Sequence, residues 1–262
     1  MDPFKIISPS VGEVPIVISV PHCGTVFPPE ILNNYHQNLI SSPDDTDWFV
    51  DRLYDFVGEL GITMIKSVYS RWVIDLNRDQ KSKPLYSDGR IITGLVPKTD
   101  FLGNELYQYP PDQAEIDRRM REYYLPYHEK LGELLESKKT TFGEVLLWEA
   151  HSIRAIVPSI YPKKFPDLIL GDADGQSCNA SLTEIALTEL GKGQHSLDHN
   201  HPFKGGYITR HFGKPSDGIH ALQLEMTKLN YMDDREIEYH EERAANMRSV
   251  LRSTFKALIK AL

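Results

Sequence analysis

Val14 to Val20 is an almost unbroken run of valine and isoleucine that stops at Pro21-His22-Cys23-Gly24. A run without polar alternation suits a strand covered on both faces, the setting of the parallel part of an α/β sheet. Val145 to Trp148 repeats the pattern and runs into Glu149-Ala150-His151-Ser152. Shorter extended stretches are expected at Ile62 to Ile65, Trp72 to Leu76, Leu168 to Leu170, Gly206 to Arg210 and His220 to Leu224. Between them, helical spacing predicts a helix opened by Asp44, Asp45 and Asp47 and running to Gly61, with the carboxylates at its favourable end. Pro110 to Ser137 reads as one long helix kinked or split at Pro126. Asn179 to Leu190 and the charged tail from Asp233 to Leu262 are also helical, and residues 80–109, rich in Pro, Gly and polar residues, form a long excursion. The expectation is an α/β fold with a mixed, largely parallel sheet flanked by helices on both faces, as a single domain over residues 1–262.

Charge narrows the partners. Lys and Arg total 29 against 37 Asp and Glu, a formal charge of −8 with histidines neutral, so nucleic acid and anionic membrane are unfavoured partners. Cys23 and Cys178 are too few for a disulfide framework. No apolar run reaches the roughly 18 to 20 residues that span a bilayer, and the N-terminus lacks a secretory pattern, so the expected address is the cytoplasm. A small anionic substrate is the expected partner; oligomeric state is not readable.

Several polar residues sit at or beyond the ends of predicted buried strands: His22, Asn77, Arg78, His151 and Glu225. Open α/β sheets place their sites in the crevice past the carboxyl ends of the strands, so residues distant in sequence can converge there. His22 and His151 are candidate metal ligands, because neutral imidazole suits zinc and a strand end holds it rigidly. A hydrolytic zinc needs a third protein ligand, which the Asp44, Asp45 and Asp47 cluster can supply, although helix capping would explain the same aspartates. Glu225 is a candidate to take a proton from water and pass it to a leaving nitrogen. Arg71, Arg78, Arg154 and Arg210, each beside a strand end, can make forked contacts with carboxylates. No H-E-x-x-H segment, P-loop or dinucleotide fingerprint is present, Gly171 to Gly175 lacks the later glutamate of a calcium loop, and Cys23 points away from its neighbour His22.

The segments Ser19-Val20-Pro21-His22-Cys23-Gly24, Asp45-Thr46-Asp47-Trp48, Tyr69 to Arg78, Glu149-Ala150-His151-Ser152 and Leu222 to Met226, with Gly205 to Arg210, resemble the N-formylglutamate amidohydrolase family over nearly the whole chain. That resemblance implies a cytoplasmic enzyme of histidine degradation that cleaves N-formyl-L-glutamate to formate and glutamate, with a fold similar to the zinc carboxypeptidases. It implies one divalent metal, Zn2+, on His22, Asp47 and His151, with Glu225 as general base and acid. It also implies Asn77 and Arg78 on a substrate carboxylate and Arg71 on the carbonyl oxygen; Arg154 and Arg210 are further substrate-contact candidates from their places beside strand ends alone. The carboxypeptidases place an acidic ligand three residues after the first histidine; here that residue is Thr25, so the third ligand must come from the aspartate cluster. Two other readings stay open at this point: a zinc-dependent deacylase of another N-acyl amino acid, and a non-catalytic binder of small carboxylates.

Overall fold

A computed structural model describes residues 2–81 and 93–262; the middle of the predicted 80–109 excursion lies outside the described residues. Among the described residues seven strands form one sheet: β1 (Phe4–Ile7), β2 (Ile16–Val20), β3 (Thr63–Ser67), β4 (Val145–Ile153), β5 (Leu168–Gly171), β6 (Leu197–His199) and β7 (Ile219–Thr227). Their order is β1-β3-β2-β4-β7-β5-β6. β3, β2, β4 and β7 run parallel, β1 and β5 are antiparallel to their inner neighbours, and β6 is parallel to β5. The sheet is therefore mixed and largely parallel, as expected. The chain leaves β2 toward β3 on one side and later returns to β4 on the other, so a switch point lies between β2 and β4.

The helices are α1 (Pro29–Leu32), α2 (Gln37–Ile40), α3 (Val50–Leu53), α4 (Gln113–Arg119), α5 (Leu125–Phe142), α6 (Ala180–Leu190), α7 (Tyr207–Phe212) and α8 (Glu241–Ala261). Strand alternation sends Ile16, Ile18, Leu146, Trp148, Leu222 and Leu224 to one face, where α6 and α8 cover them with Leu182, Ala186, Met247, Leu251 and Phe255. Val17, Leu147 and Ala221 face the other way, against Tyr127, Leu131 and Leu135 of α5. At the carboxyl end of β4 and β7 this second face turns from apolar to polar, with Glu149 opposite Gln223 and His151 opposite Glu225.

Four expectations are corrected. The helix expected from the aspartates to Gly61 is a single α turn, α3, followed by a 3-10 segment Asp55–Leu60; Phe49 has φ 62°, so helical backbone cannot begin before Val50. Trp72 to Leu76 is a run of buried turns, because the carbonyls of Trp72 and Val73 bond to Tyr35, Tyr107 and Arg119 side chains instead of to a strand. Gly206 to Arg210 is the start of α7. The long helix stays helical through Pro126 as α4, a π-helical turn Met120–Tyr124 and α5: it is neither split nor broken at Pro126 itself, and the wider turn just before it accommodates the proline ring and missing N–H.

Candidate active site

His22 lies two residues beyond β2, in a turn that passes against the backbone of Tyr69 so closely that a Cβ on Gly24 would meet Tyr69 O at 2.2 Å. Only glycine permits that approach. The backbone N–H of Asp47 donates to His22 O at 3.0 Å, tying the 43–48 segment to this turn. His151 and Glu225 are inside β4 and β7, not past their ends as the sequence suggests; the parallel ladder continues through Ile153 and Thr227 and presents the two side chains as a register pair on one face.

His151 Nδ1 is 3.0 Å and His22 Nδ1 3.7 Å from the same oxygen, Asp47 Oδ2. One donor atom from each of the three residues lies within 4.8 Å of the others, and all three residues are buried. The opposite nitrogen of each ring faces a carboxylate: His22 Nε2 is 2.7 Å from Asp75 Oδ1, and His151 Nε2 is 2.6 Å from Glu149 Oε1. An ionised carboxylate only accepts, so His22 Nε2 carries the proton and its Nδ1 lone pair turns toward Asp47. His151 instead has a carboxylate at each nitrogen and donates from both, so a cation taking its Nδ1 would displace that proton. The buried Nδ1 of His22 has no hydrogen-bond partner. Burial, helped by the Arg71 charge, holds the His22 pKa below its usual value, so this lone pair stays unprotonated. Burial opposes a charge on His151 too, but Glu149 and Asp47 outweigh it and raise its pKa. Two imidazole nitrogens and a carboxylate oxygen, one of the nitrogens an unmatched buried lone pair, fit a divalent cation of zinc's preferences.

The two other aspartates face elsewhere. Asp44 accepts from Arg154 Nε at 2.7 Å, and Asp45 accepts from the Trp72 indole N–H at 3.0 Å and the Phe101 backbone N–H at 3.1 Å. Neither caps a helix.

Asp75 and Glu149 carry no role in the sequence reading, yet both are fully buried. Asp75 also accepts from Arg71 Nη2 at 2.6 Å and the Asn77 backbone N–H at 2.9 Å. Burial alone would raise its pKa, but Arg71 and His22 hold it well below the carboxylate range. The second oxygen of Glu149 accepts from the Thr209 backbone N–H at 3.0 Å and from the Thr209 hydroxyl. The available signal for Glu149 is its spacing: residues two apart on a strand share a face.

Glu225 is 9% exposed; burial pushes its pKa up, against the opposing charge of His151. Arg71 is buried, its guanidinium reaching Asp75 and the Asp45 carbonyl and lying 4.9 Å over the Phe101 ring. Asn77 packs against Gly206, accepts from the Ile208 backbone N–H at 2.8 Å and places Nδ2 3.0 Å from His151 Nε2. Its amide is thus part of the wall that seats His151. Arg78 lies 4.0 Å from Asp75 Oδ2 and donates to Thr93 O and Oγ1. Arg154 is held by Asp44 and Glu236, on the side of the 43–48 segment that carries Asp44. Arg210 is exposed on α7, its Nε donating to Gly205 O. The structure therefore gathers His22, Asp47, His151, Glu225, Arg71 and Asn77, sets Arg78 at the edge, and commits Arg154 to two acids.

Such a site, a buried three-donor cluster with an acid–base carboxylate across one strand and a guanidinium beside it, is equipped for hydrolysis of a polarised carbonyl. The model of the N-formylglutamate amidohydrolase family matches residues 14–232. The N-formylglutamate deformylase of Pseudomonas aeruginosa is 41% identical over 254 residues, 95% of this chain and 94% of that protein. That of Pseudomonas putida is 39% identical over 261 residues, 97% of this chain and 96% of that protein. The crystal structure of N-formylglutamate amidohydrolase from Ralstonia eutropha JMP134 superposes with a TM-score of 0.82 at 27% identity, covering 98% of this chain and 97% of that one.

Proposed function

The chain belongs to the N-formylglutamate amidohydrolase family, and from that premise we propose that it hydrolyses N-formyl-L-glutamate to formate and L-glutamate with one bound zinc ion, in the cytoplasm and within histidine degradation, as the family resemblance implies. The observation that carries the reading is the convergence of His22, Asp47 and His151, each histidine backed by its own carboxylate, opposite Glu225.

His22, Asp47 and His151 would hold the metal. When bound, a divalent ion there supplies Lewis acidity, polarising the formyl carbonyl and lowering the pKa of water. Glu225 takes the proton of the attacking water; the raised affinity that burial gives its carboxyl for a proton suits it to keep that proton and deliver it to the departing amine nitrogen. Arg71, fixed by Asp75, offers a permanently charged donor edge to the developing oxyanion. Arg78 is the proposed contact for one substrate carboxylate and Arg210 for the other. Asn77 acts on His151 and on the start of α7 more than on substrate, because its amide groups face Ile208 and His151.

The assay is formate release from N-formyl-L-glutamate set beside acetate release from N-acetyl-L-glutamate. Turnover of the formyl compound alone is the expected result. Preference for the acetyl compound would move the activity to another deacylase, and binding of either without turnover would make the site non-catalytic.

A further inference from the structure

Arg154 and Lys228 occupy equivalent places in the fold. Ile153 and Thr227 are the last register pair of β4 and β7, so the two cations are the next residues beyond the paired ends. Both reach the same aspartate. Arg154 closes on the Asp44 carboxylate with Nε at 2.7 Å and with Nη2, while Lys228 Nζ donates to the Asp44 carbonyl at 3.0 Å. Lys228 is buried, 2% exposed. Glu236 completes the arrangement: Oε2 lies 3.3 Å from Arg154 Nη1, and Oε1 accepts the Ala155 backbone N–H at 2.7 Å.

Asp44 stands three residues before Asp47, in a segment with no regular helix or strand to fix it. A ligand carboxylate must be held to within roughly half an ångström of its working position. On a turn, that precision has to come from tethers. The Asp45 carboxylate is anchored by Trp72 and Phe101, the Trp48 carbonyl by Tyr231 and the Asp47 backbone N–H by the His22 carbonyl. Asp44 is a further point that locates the segment, on the side that faces the ends of β4 and β7, and two cations supply it.

We propose that Arg154 and Lys228 are positioning residues for the metal ligand Asp47: they clamp Asp44 from the ends of β4 and β7, and Arg154 does not hold a substrate carboxylate. This rests on the reading of His22, Asp47 and His151 as the metal site. It does not depend on which acyl amino acid is cleaved.

The test is zinc affinity, measured by stripping the full-length protein with a chelator and titrating Zn2+ against a chromogenic competitor. Arg154→Met and Asp44→Asn are each expected to weaken zinc binding about tenfold, in the range of outer-shell substitutions. The double variant should lose no more than Arg154→Met alone, because the contact that Asp44→Asn weakens is already gone there. Arg154→Lys should recover part of the loss. At saturating zinc, KM for N-formyl-L-glutamate should stay within about twofold of the wild type, and the melting temperature of the metal-free protein should be unchanged. Wild-type affinity in Arg154→Met, a loss in only one of the two single variants, or a raised KM with normal zinc affinity would overturn the inference while leaving the metal site intact. Wild-type protein that takes up no zinc would overturn the metal site and this inference together.

Discussion

Asp75 and Glu149 each accept the Nε2 proton of one histidine, and by doing so decide that both rings turn Nδ1 inward. Asp75→Asn tests this sharply, because an amide can donate to Nε2 and so favour the tautomer with its proton on Nδ1. We expect zinc affinity to fall about 10- to 100-fold, measured by titration of the stripped protein. The same change leaves the buried Arg71 guanidinium without its carboxylate, so thermal stability should fall as well. Glu225→Gln separates binding from chemistry: zinc content should be retained, while turnover drops roughly 10²- to 10⁴-fold. A fully active variant would remove Glu225 from the mechanism. His22, His151 and Glu225 were legible in the sequence because each ends or nearly ends an apolar run. The choice of Asp47 over its neighbours came from the family resemblance and not from the residue pattern, since it depends on Trp72, Phe101 and Arg154 drawing Asp44 and Asp45 away through space.

At the scale of elements, the buried inner strands were readable, whereas the edge strands β1 and β6 and the segments between strands were not. Buried strands announce themselves by composition, whereas Trp72 to Leu76 has a strand's composition but spends its carbonyls on Tyr35, Tyr107 and Arg119, partners that only the fold brings near. The same segment is held from α5 by His128, whose Nε2 donates to the Leu76 carbonyl at 2.9 Å while its ring stacks between Tyr124 and Phe212. Burial lowers the His128 pKa to about 4, against the pull of the Leu76 carbonyl. The folded protein therefore binds this proton less readily than the unfolded chain, whose histidine titrates near 6.5. Its contribution is complete above pH 6.5 and is lost as pH falls to about 4, amounting to roughly 3 kcal/mol. In metal-free protein, the stability advantage of the wild type over His128→Gln should shrink by about that amount across the window in denaturant titrations. Parallel pH profiles would show that His128 is not the group responsible.

For the molecule as a whole, the −8 charge means that a substrate with two carboxylates is not drawn in by the overall field. Recognition has to be local, and Arg71 and Arg78 are the cations that stand beside the candidate metal cluster, both of them against Asp75. Among the described residues no helix is long and apolar enough to cross a membrane. The α/β class followed from alternating strands and helices, but the strand order did not, because nothing in the local pattern says that β7 returns to lie between β4 and β5. That return brings Glu225 opposite His151 and makes the site possible. The most direct measurement is formate release from N-formyl-L-glutamate by protein stripped with a chelator and then given back Zn2+. The expected result is turnover abolished by stripping and restored by about one equivalent of zinc; undiminished formate release from the stripped protein would contradict a metal-assisted mechanism.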